Sequence, residues 1–518
     1  MARINSNIAS LVARGNLRRA NQDLDIRLQR LATGLRINRG ADDPAGLIVS
    51  ERLRSELNAM DQGVQNSERA QGVISTTEAS LAEVSDLLNS MKALVVEAAN
   101  SGALSQEEIE ANQLQLDSAI ESITRISNTA SFAGLKLLDG SLGYSLSGVD
   151  QNLIAKAEVF SANFGTRSNI QVDVEVVGSA QQAQLFARTD FSNIVAGATD
   201  GVLMSSLTIE VAGPDGVQVI SFGSGTTVDD MVAAINALSE NTGVKAERVN
   251  SANVASGIRF YSVSYGSDAF VSITRLGASG KFFGTVALPN DAAPSTLDFT
   301  KPATFNSATQ DIGKNVVALV NGALARGRGT SLSIRNGTLE MELLLNTSYA
   351  TVVSATPTTF HITGGGSLYQ LGPNVKPAQQ VNVGIQSIAA SRLGGTFIAS
   401  SATASPELQF LESLKSGGKN SLFTGNFSVA SKIIDTAIDE ISSLRGRLGA
   451  LERNTIEPNI RSLEAAIENV TAAESVIRDA DFAKEITALN RAQILTSTAT
   501  SILATSNAQA QSVLQLLG

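Results

Sequence analysis

Two hydrophobic patterns divide this chain into three parts. In the first 138 residues or so, and again from about residue 407 to the end, apolar side chains recur at intervals of three and four, which predicts amphipathic helices. Between these flanks the sequence is rich in glycine, and apolar and polar residues alternate as in a strand with one buried face. The chain is therefore expected to have helical ends around a β-rich middle.

The inner parts of both flanks carry a heptad seam. Between Leu53 and Ala98 the seam is broken by one three-residue shift, which reads as a local overwinding of a coiled coil. Ser105 and Glu108 have the spacing of a capping box and predict the start of the next helix. Pro458 should kink or restart the C-terminal helix. The predicted core of this helical rod comprises Leu81, Val84, Leu88, Met91, Ile441, Leu444, Leu448, Leu451, Ile460, Leu463 and Ile467.

The outermost ends carry narrower apolar stripes. Helices with so little apolar surface are marginal alone, so each terminus needs a partner, and the natural partner is the opposite terminus. Even when paired, two slender helices leave apolar edges exposed, which favours association between copies, although the residues alone leave open a bundle within one chain. The side chains predicted to mediate self-assembly are Ile4, Ile8, Leu11, Leu17, Leu24, Leu28, Leu31, Leu35, Leu495, Ile502, Val513, Leu514, Leu516 and Leu517.

The middle of the chain shows strand and turn signals. Residues 170–176 alternate strictly, and Pro214-Asp215-Gly216 separates two strand-like runs, which predicts a hairpin. Asn336-Gly337 predicts a second hairpin. We expect helices over 227–238 and 312–324. The insert is therefore predicted to be α+β, with one or two small domains.

The composition excludes most kinds of catalytic and metal-binding site. The chain has no cysteine and one histidine, His361, so disulfides, cysteine-ligated metals, thiol catalysis and paired-histidine sites are excluded. A net charge of −10 without a basic cluster argues against nucleic-acid binding. No nucleophile with a nearby base is evident, and no apolar run approaches the roughly 20 residues that a membrane span needs. We expect no enzyme activity, no cofactor and no membrane insertion.

Specific motifs at both ends resemble those of bacterial flagellin. Residues 29–38 and 41–47 look like the N-terminal flagellin signature, and residues 477–495 and 513–517 look like its C-terminal counterpart. Residues 207–273 are similar to an insert module found in some flagellins. The resemblance implies a subunit that self-assembles into the helical, extracellular flagellar filament for motility, after export by the flagellar type III system.

The resemblance also implies a domain division and an α+β multidomain fold. Residues 1–40 with 478–518 would form an inner coiled-coil domain. Residues 41–172 with 405–477 would form a helical rod domain that includes a β-hairpin. Residues 173–404 would form a solvent-facing insert of one or two subdomains.

Partners implied by the resemblance are further copies of the chain, an export chaperone, and the junction and cap proteins of the flagellum. Flagellins sensed by the animal innate receptor have an Arg and a Glu flanking a Leu. This chain keeps Leu94 but has Ser90 and Gln115 at the charged positions, which argues against such recognition.

Three other functions remain open at this point. The related hook–filament junction protein shares the termini but is present in few copies. A flagellin with a zinc-peptidase insert requires an H-E-x-x-H motif, which His361 does not provide. A secreted coiled-coil adhesin would bind host surfaces without polymerising.

Overall fold

The computed structural model contains two compact units. One comprises Met1–Gly72, Tyr369–Val381 and Ala450–Gly518, and the other comprises Val73–Leu368 and Asn382–Gly449. The structure describes residues 7–100, 102–165, 167–188, 201–203, 205–249, 257–277, 284–287, 306–354, 356–398 and 407–517.

Long helices form both flanks, as the hydrophobic spacing predicts. They are α1 (Ile8–Thr33), α2 (Pro44–Ala99), α3 (Gln106–Thr129), α7 (Phe427–Leu451), α8 (Glu457–Arg478) and α9 (Phe482–Leu517). Shorter helices lie between the flanks: α4 (Val228–Ala237), α5 (Ser239–Thr242) and α6 (Thr347–Ala350). Single 3₁₀ turns occur at Pro377–Gln379, Leu411–Leu414 and Leu422–Thr424.

Side-chain caps fix where two of these helices begin. The Ser105 hydroxyl accepts a hydrogen bond from the Glu108 amide at 3.3 Å, and the Glu108 carboxylate accepts one from the Ser105 amide at 2.7 Å. The predicted capping box is thus confirmed. At the start of α2, the Asp43 carboxylate accepts a hydrogen bond from the Gly46 amide at 2.9 Å, which satisfies a donor that the helix leaves free.

Pro458 lies beside an irregularity in the C-terminal helix, at the position where the sequence predicted a kink or a restart. A π-helical turn over Glu452–Ile456 separates α7 from α8, and the proline lies in the first turn of α8. Leu451 and Glu457, on either side of this turn, keep right-handed helical backbone angles, so the helical path continues through it. The changed hydrogen-bonding pattern accommodates a residue that has no amide hydrogen.

The four predicted rod residues on α2 lie inside the larger unit. Leu81, Val84, Leu88 and Met91 on α2 are fully buried, so the heptad marks the inward face. The remaining predicted rod residues divide between two burial classes. Ile441, Leu448 and Leu463 are buried, and Leu444, Leu451, Ile460 and Ile467 are half-buried.

The largest sheet is antiparallel and has eight strands. Its order is β3-β19-β5-β15-β16-β17-β18-β4. The strands are β3 (Tyr144–Ser147), β4 (Ile154–Ala162), β5 (Ile170–Gly178), β15 (Val317–Val320), β16 (Ala323–Arg328), β17 (Ser331–Arg335), β18 (Leu339–Leu345) and β19 (Thr358–Gly365). The rod–insert boundary predicted at residue 172 falls inside β5, and the three-part division stays a prediction.

Two further sheets share a core with α4. The five-stranded sheet has the order β13-β12-β6-β10-β9 and the four-stranded sheet β14-β11-β7-β8. Their strands are β6 (Gln184–Arg188), β7 (Leu207–Gly213), β8 (Gly216–Phe222), β9 (Val244–Arg248), β10 (Ile258–Ser262), β11 (Phe270–Leu276), β12 (Gly284–Ala287), β13 (Asn306–Ser307) and β14 (Gln310–Ile312). The hairpin at Pro214-Asp215 and the helix predicted over 227–238 are confirmed.

Three two-stranded pairs complete the described sheets. They are β1 (Ser131–Phe132) with β2 (Leu135–Lys136), β20 (Ser367–Gln370) with β21 (Gln380–Val383), and β22 (Thr396–Ile398) with β23 (Glu407–Gln409).

The helix predicted over 312–324 is wrong. These residues form the end of β14, all of β15 and the start of β16. Asn321 and Gly322 join β15 to β16 with φ angles of 50° and 76°, which is the backbone of a two-residue hairpin turn. The short run of apolar side chains fits a buried strand as well as a helix, and the turn decides between them. The hairpin predicted at Asn336-Gly337 is confirmed as β17–β18.

A segment from the middle of the chain belongs to the same unit as the two termini. The Asn459 side-chain amide donates to the Leu371 carbonyl at 2.9 Å and to the Ser67 hydroxyl at 3.2 Å. Gly63 allows this approach, because a Cβ there would lie 3.1 Å from the Leu371 carbonyl oxygen and 3.2 Å from the Leu463 side chain. We call residues 369–381 the strap.

Truncation of a buried heptad residue is expected to destabilise the larger unit. Leu88→Ala removes a side chain with 0% exposure and should lower the free energy of unfolding by about 2–5 kcal/mol. Val96→Ala on the same helix, where the side chain is 61% exposed, should cost less than about 0.5 kcal/mol. Denaturant unfolding followed by circular dichroism measures both, and equal losses would contradict the assigned inward face.

Candidate assembly surface

Helices α1 and α9 pair in antiparallel orientation. Ser10 near the start of α1 contacts Asn507 near the end of α9, with 2.8 Å between the side-chain oxygens. Arg27 near the end of α1 contacts Glu485 near the start of α9. The two termini of the chain are therefore partners, as the sequence predicts.

The fully buried apolar side chains in the seam between these helices are small, and leucines such as Leu17 and Leu24 are half-buried beside them. Ala13, Ala492 and Ala499 are buried in the pair, and Ala20 is half-buried. Alanine favours a helix because it loses no side-chain entropy on folding. A methyl group also lets two helices approach closely, but it covers little of its neighbour, so most of each helix surface stays open.

Large apolar side chains remain outside the seam. Exposure reaches 61% for Leu11 and 66% for Ile494. The exposed set on the two helices consists of Ile8, Leu11, Val12, Ile26, Leu28, Phe482, Ile486, Ile494, Leu495 and Ile502. Beside the seam, a groove of about 380 Å³ is lined by Arg19, Asp23, Leu495 and Ile502, among others. We call this exposed set and its groove the apolar stripe.

The predicted self-assembly residues distribute over these surfaces. Ile8, Leu11, Leu28, Leu495 and Ile502 are exposed. Half-buried positions are Leu17, Leu24, Leu31 and Leu35. Ile4 lies outside the described residues, and so do the side chains of Val513, Leu514, Leu516 and Leu517, whose backbone continues α9.

Sequence reasoning missed several members of the stripe. Val12, Phe482, Ile486 and Ile494 are exposed but lie off the single seam that heptad counting follows. The signal that could have identified them is the presence of large apolar residues at helix positions outside the heptad seam.

A short backbone bridge closes the base of the helix pair. The Arg36 amide donates to the Arg478 carbonyl at 2.7 Å, and the Ala480 amide donates to the Gly34 carbonyl at 2.9 Å. Gly34 ends α1 with a φ of 72°, a left-handed conformation that glycine adopts without strain. The flagellin-like signature therefore includes a residue that turns the chain at this bridge.

One buried carboxylate links the helices just above the bridge. The Glu485 side chain is 9% exposed, and its oxygens lie 3.0 Å from Arg27 Nη1 and 3.2 Å from Arg30 Nη1. Burial raises the pKa of Glu485, but the hydrogen bonds and charges of the two arginines outweigh it, so the pKa lies below its usual value. Sequence reasoning missed this group, although Glu485 stands three residues before Ala488, on the extension of the predicted seam.

Family models match both helical flanks. The bacterial flagellin N-terminal helical region matches residues 4–142, and the bacterial flagellin C-terminal helical region matches residues 431–517. The chain belongs to the bacterial flagellin family. The flagellin hook IN motif matches residues 206–262, which confirms the insert module that the sequence resembles.

Complete flagellins align along the whole chain. The protein is 29% identical to B-type flagellin of Pseudomonas aeruginosa, 27% identical to flagellin of Salmonella typhimurium and 25% identical to flagellin B of Helicobacter pylori, each over 99% of both chains. Among solved structures, hook associated protein-3 of Legionella pneumophila is 13% identical with a TM-score of 0.29, covering 82% of this chain and 97% of that one. This flagellin is a structural subunit of the extracellular flagellar filament, which serves motility.

Within the described part of this flagellin, no helix has the length and apolar character needed to cross a membrane.

Acid should loosen the α1–α9 pair. The folded pKa of Glu485 is lowered, so its stabilising contribution is complete above the unfolded value of about 4.3 and is lost as the pH falls through the lower folded pKa. Amide hydrogen exchange in α1 and α9, measured between pH 6 and pH 3 and corrected for intrinsic rates, should show this loss. Glu485→Gln should remove the part of the loss that its carboxylate causes, and an unchanged pH profile in that variant would contradict the assignment.

Proposed function

We propose that this flagellin polymerises through the apolar stripe of its terminal helix pair. The observation that carries the proposal is the alanine seam, which leaves leucine and isoleucine side chains in solvent on both helices. In a monomer, the described residues of α1 and α9 leave these leucine and isoleucine side chains uncovered. Another copy of the same pair offers a surface of matching chemistry.

The energetics favour a polymer over a dimer. Covering the exposed half of one large apolar side chain contributes roughly 1 kcal/mol. The exposed set could therefore supply on the order of 10 kcal/mol, which is comparable to the cost of about 4–15 kcal/mol for immobilising one protein on another. One neighbour is then marginal, whereas a subunit that touches several neighbours is held firmly. Growth on an existing filament end should be favoured over spontaneous association.

The predicted domain division gives each part a mechanical role. Residues 1–40 with 478–518 would line the filament core, and residues 41–172 with 405–477 would form the surrounding rod. The buried heptads on α2 and α7 support a stiff rod. Small changes in rod packing would set the supercoil that converts rotation into thrust. The insert over 173–404 would face solvent.

The export chaperone and the junction and cap proteins of the flagellum would contact the same apolar stripe. We infer that an export chaperone covers the α9 part of the apolar stripe, including Ile494, Leu495 and Ile502, until the subunit reaches the growing end. The absence of cysteine means that no disulfide can lock the chain before passage through the flagellar type III system. Junction and cap proteins would contact the stripes left open at the two filament ends.

Deletion of residues 488–518 tests the need for α9. The truncated protein should keep the β-rich middle folded and soluble but should not sediment as filaments after addition of sheared filament seeds. Filaments that grow normally from the truncated protein would contradict the proposal.

Two polar substitutions test the apolar stripe itself. Leu495→Ser combined with Ile502→Ser should cost roughly 2 kcal/mol per added subunit and raise the critical concentration about 30-fold. Val217→Ser combined with Val219→Ser is the matched control, because these side chains are similarly exposed on β8 but lie in the insert. Light scattering with seeds measures both. An equal effect of the two pairs would indicate a contact surface other than the terminal helices.

A further inference from the structure

The alanine seam alone carries little information about register. Ala13 and Ala20 are seven residues apart on α1, and Ala492 and Ala499 are seven residues apart on α9. Sliding one helix past the other by seven residues again brings an alanine opposite an alanine, because this spacing is two helical turns. The apolar contacts of the seam therefore discriminate weakly between the observed pairing and a slipped one.

Glu485 distinguishes the observed pairing of the two helices from a slipped one. Among the described residues it is the one charged side chain that is buried. Arg27 Nη1 lies 3.2 Å from Oε1 and 3.0 Å from Oε2, and Arg30 Nη1 lies 3.2 Å from Oε1. Because the two arginines are three residues apart, they lie on one side of α1 and hold the carboxylate together.

A slipped pair would leave this carboxylate without its arginines. A slide of seven residues toward the start of α1 would set Glu485 level with Ala20, and it would set Arg27 level with Arg478, before the start of α9. The opposite slide would set Glu485 level with Gly34, beyond the end of α1, and Arg27 level with the fully buried Ala492. A buried charge without a partner is strongly unfavourable, so both slides are penalised even though each keeps one alanine opposite another.

We propose that Glu485, held by Arg27 and Arg30, selects the register of α1 against α9 and so makes the termini competent to polymerise. Glu485 is thus a positioning residue, which acts through the helix pair. The inference rests on the proposed role of that pair in filament growth.

The backbone bridge at the base of the pair does not make Glu485 redundant. Its amide hydrogen bonds run between main-chain groups of Gly34, Arg36, Arg478 and Ala480, and the Arg36 side chain donates to the Ile477 main-chain carbonyl. Main-chain acceptors are the same at nearly every residue, so they do not by themselves specify one alignment. The three charged side chains meet in one alignment.

Charge reversal tests the ion cluster. Glu485→Arg alone, and Arg27→Glu with Arg30→Glu, should each slow seeded filament growth by roughly 30-fold or more. The triple variant restores opposite charges and should recover most of the rate. Glu240→Arg, an exposed reversal on α5 in the insert, is the control and should grow like the wild type. A triple variant as slow as its parents, with the control normal, would overturn the proposal.

Register can be read directly, because the chain has no cysteine of its own. Ser10→Cys with Asn507→Cys reports the observed register, since these side chains touch at 2.8 Å. Ser10→Cys with Thr500→Cys reports a seven-residue slip. With Glu485 present, oxidation should link the first pair and leave the second free, whereas Glu485→Leu should allow both links.

The two assays separate the possible failures. If Glu485→Leu gives the 10–507 link alone and polymerises at the wild-type rate, the register role is wrong. If the Ser10→Cys, Asn507→Cys protein that keeps Glu485 shows the 10–507 link but wild-type seeds do not grow, the polymerisation role of the pair is wrong, whereas the register role stands on the Glu485→Leu crosslinks. Circular dichroism of each variant, compared with Glu240→Arg, identifies a change that unfolds the insert.

Discussion

The size of the side chains where the two termini meet governs the rest of this flagellin. Methyl groups at Ala13, Ala492 and Ala499 bring α1 and α9 together but cannot shield the leucine and isoleucine side chains beside them. A seam of larger residues would bury more surface within one chain and leave less for a neighbour. The thin seam thus links folding of the termini to the proposed assembly, because it leaves apolar surface that further copies would cover in the proposed polymer.

The sequence predicted the parts of the fold that are set by local chemistry. The heptads on α2, the capping box at Ser105, the helix irregularity beside Pro458 and the hairpin at Pro214-Asp215 each depend on residues close together in the chain. In every case the deciding interaction spans a few positions, so its pattern is visible before the fold is known. The flagellin-like motifs at both ends indicated the protein family, and family models match those same ends.

What the sequence did not reveal depends on distant residues or on a turn that was overlooked. The apolar run near residue 318 suits a helix or a strand, and the left-handed backbone at Asn321-Gly322 makes it a hairpin. The roles of Arg27, Arg30 and Glu485 could not be read from either helix alone, because 455 and 458 residues separate the partners. For the same reason heptad spacing marked one stripe on each terminal helix and missed neighbours such as Ile494.

The strap has a consequence for the order in which the molecule can form. Asn459 bonds to Leu371 and to Ser67, contacts that span 88 and 392 residues of chain. Closing so large a loop carries an entropic cost before any contact compensates it. The unit that holds the termini can therefore be completed only after most of the polypeptide is present at one place. A nascent or partly delivered chain cannot mature from its leading end, and final closure coincides with arrival of nearly the whole molecule.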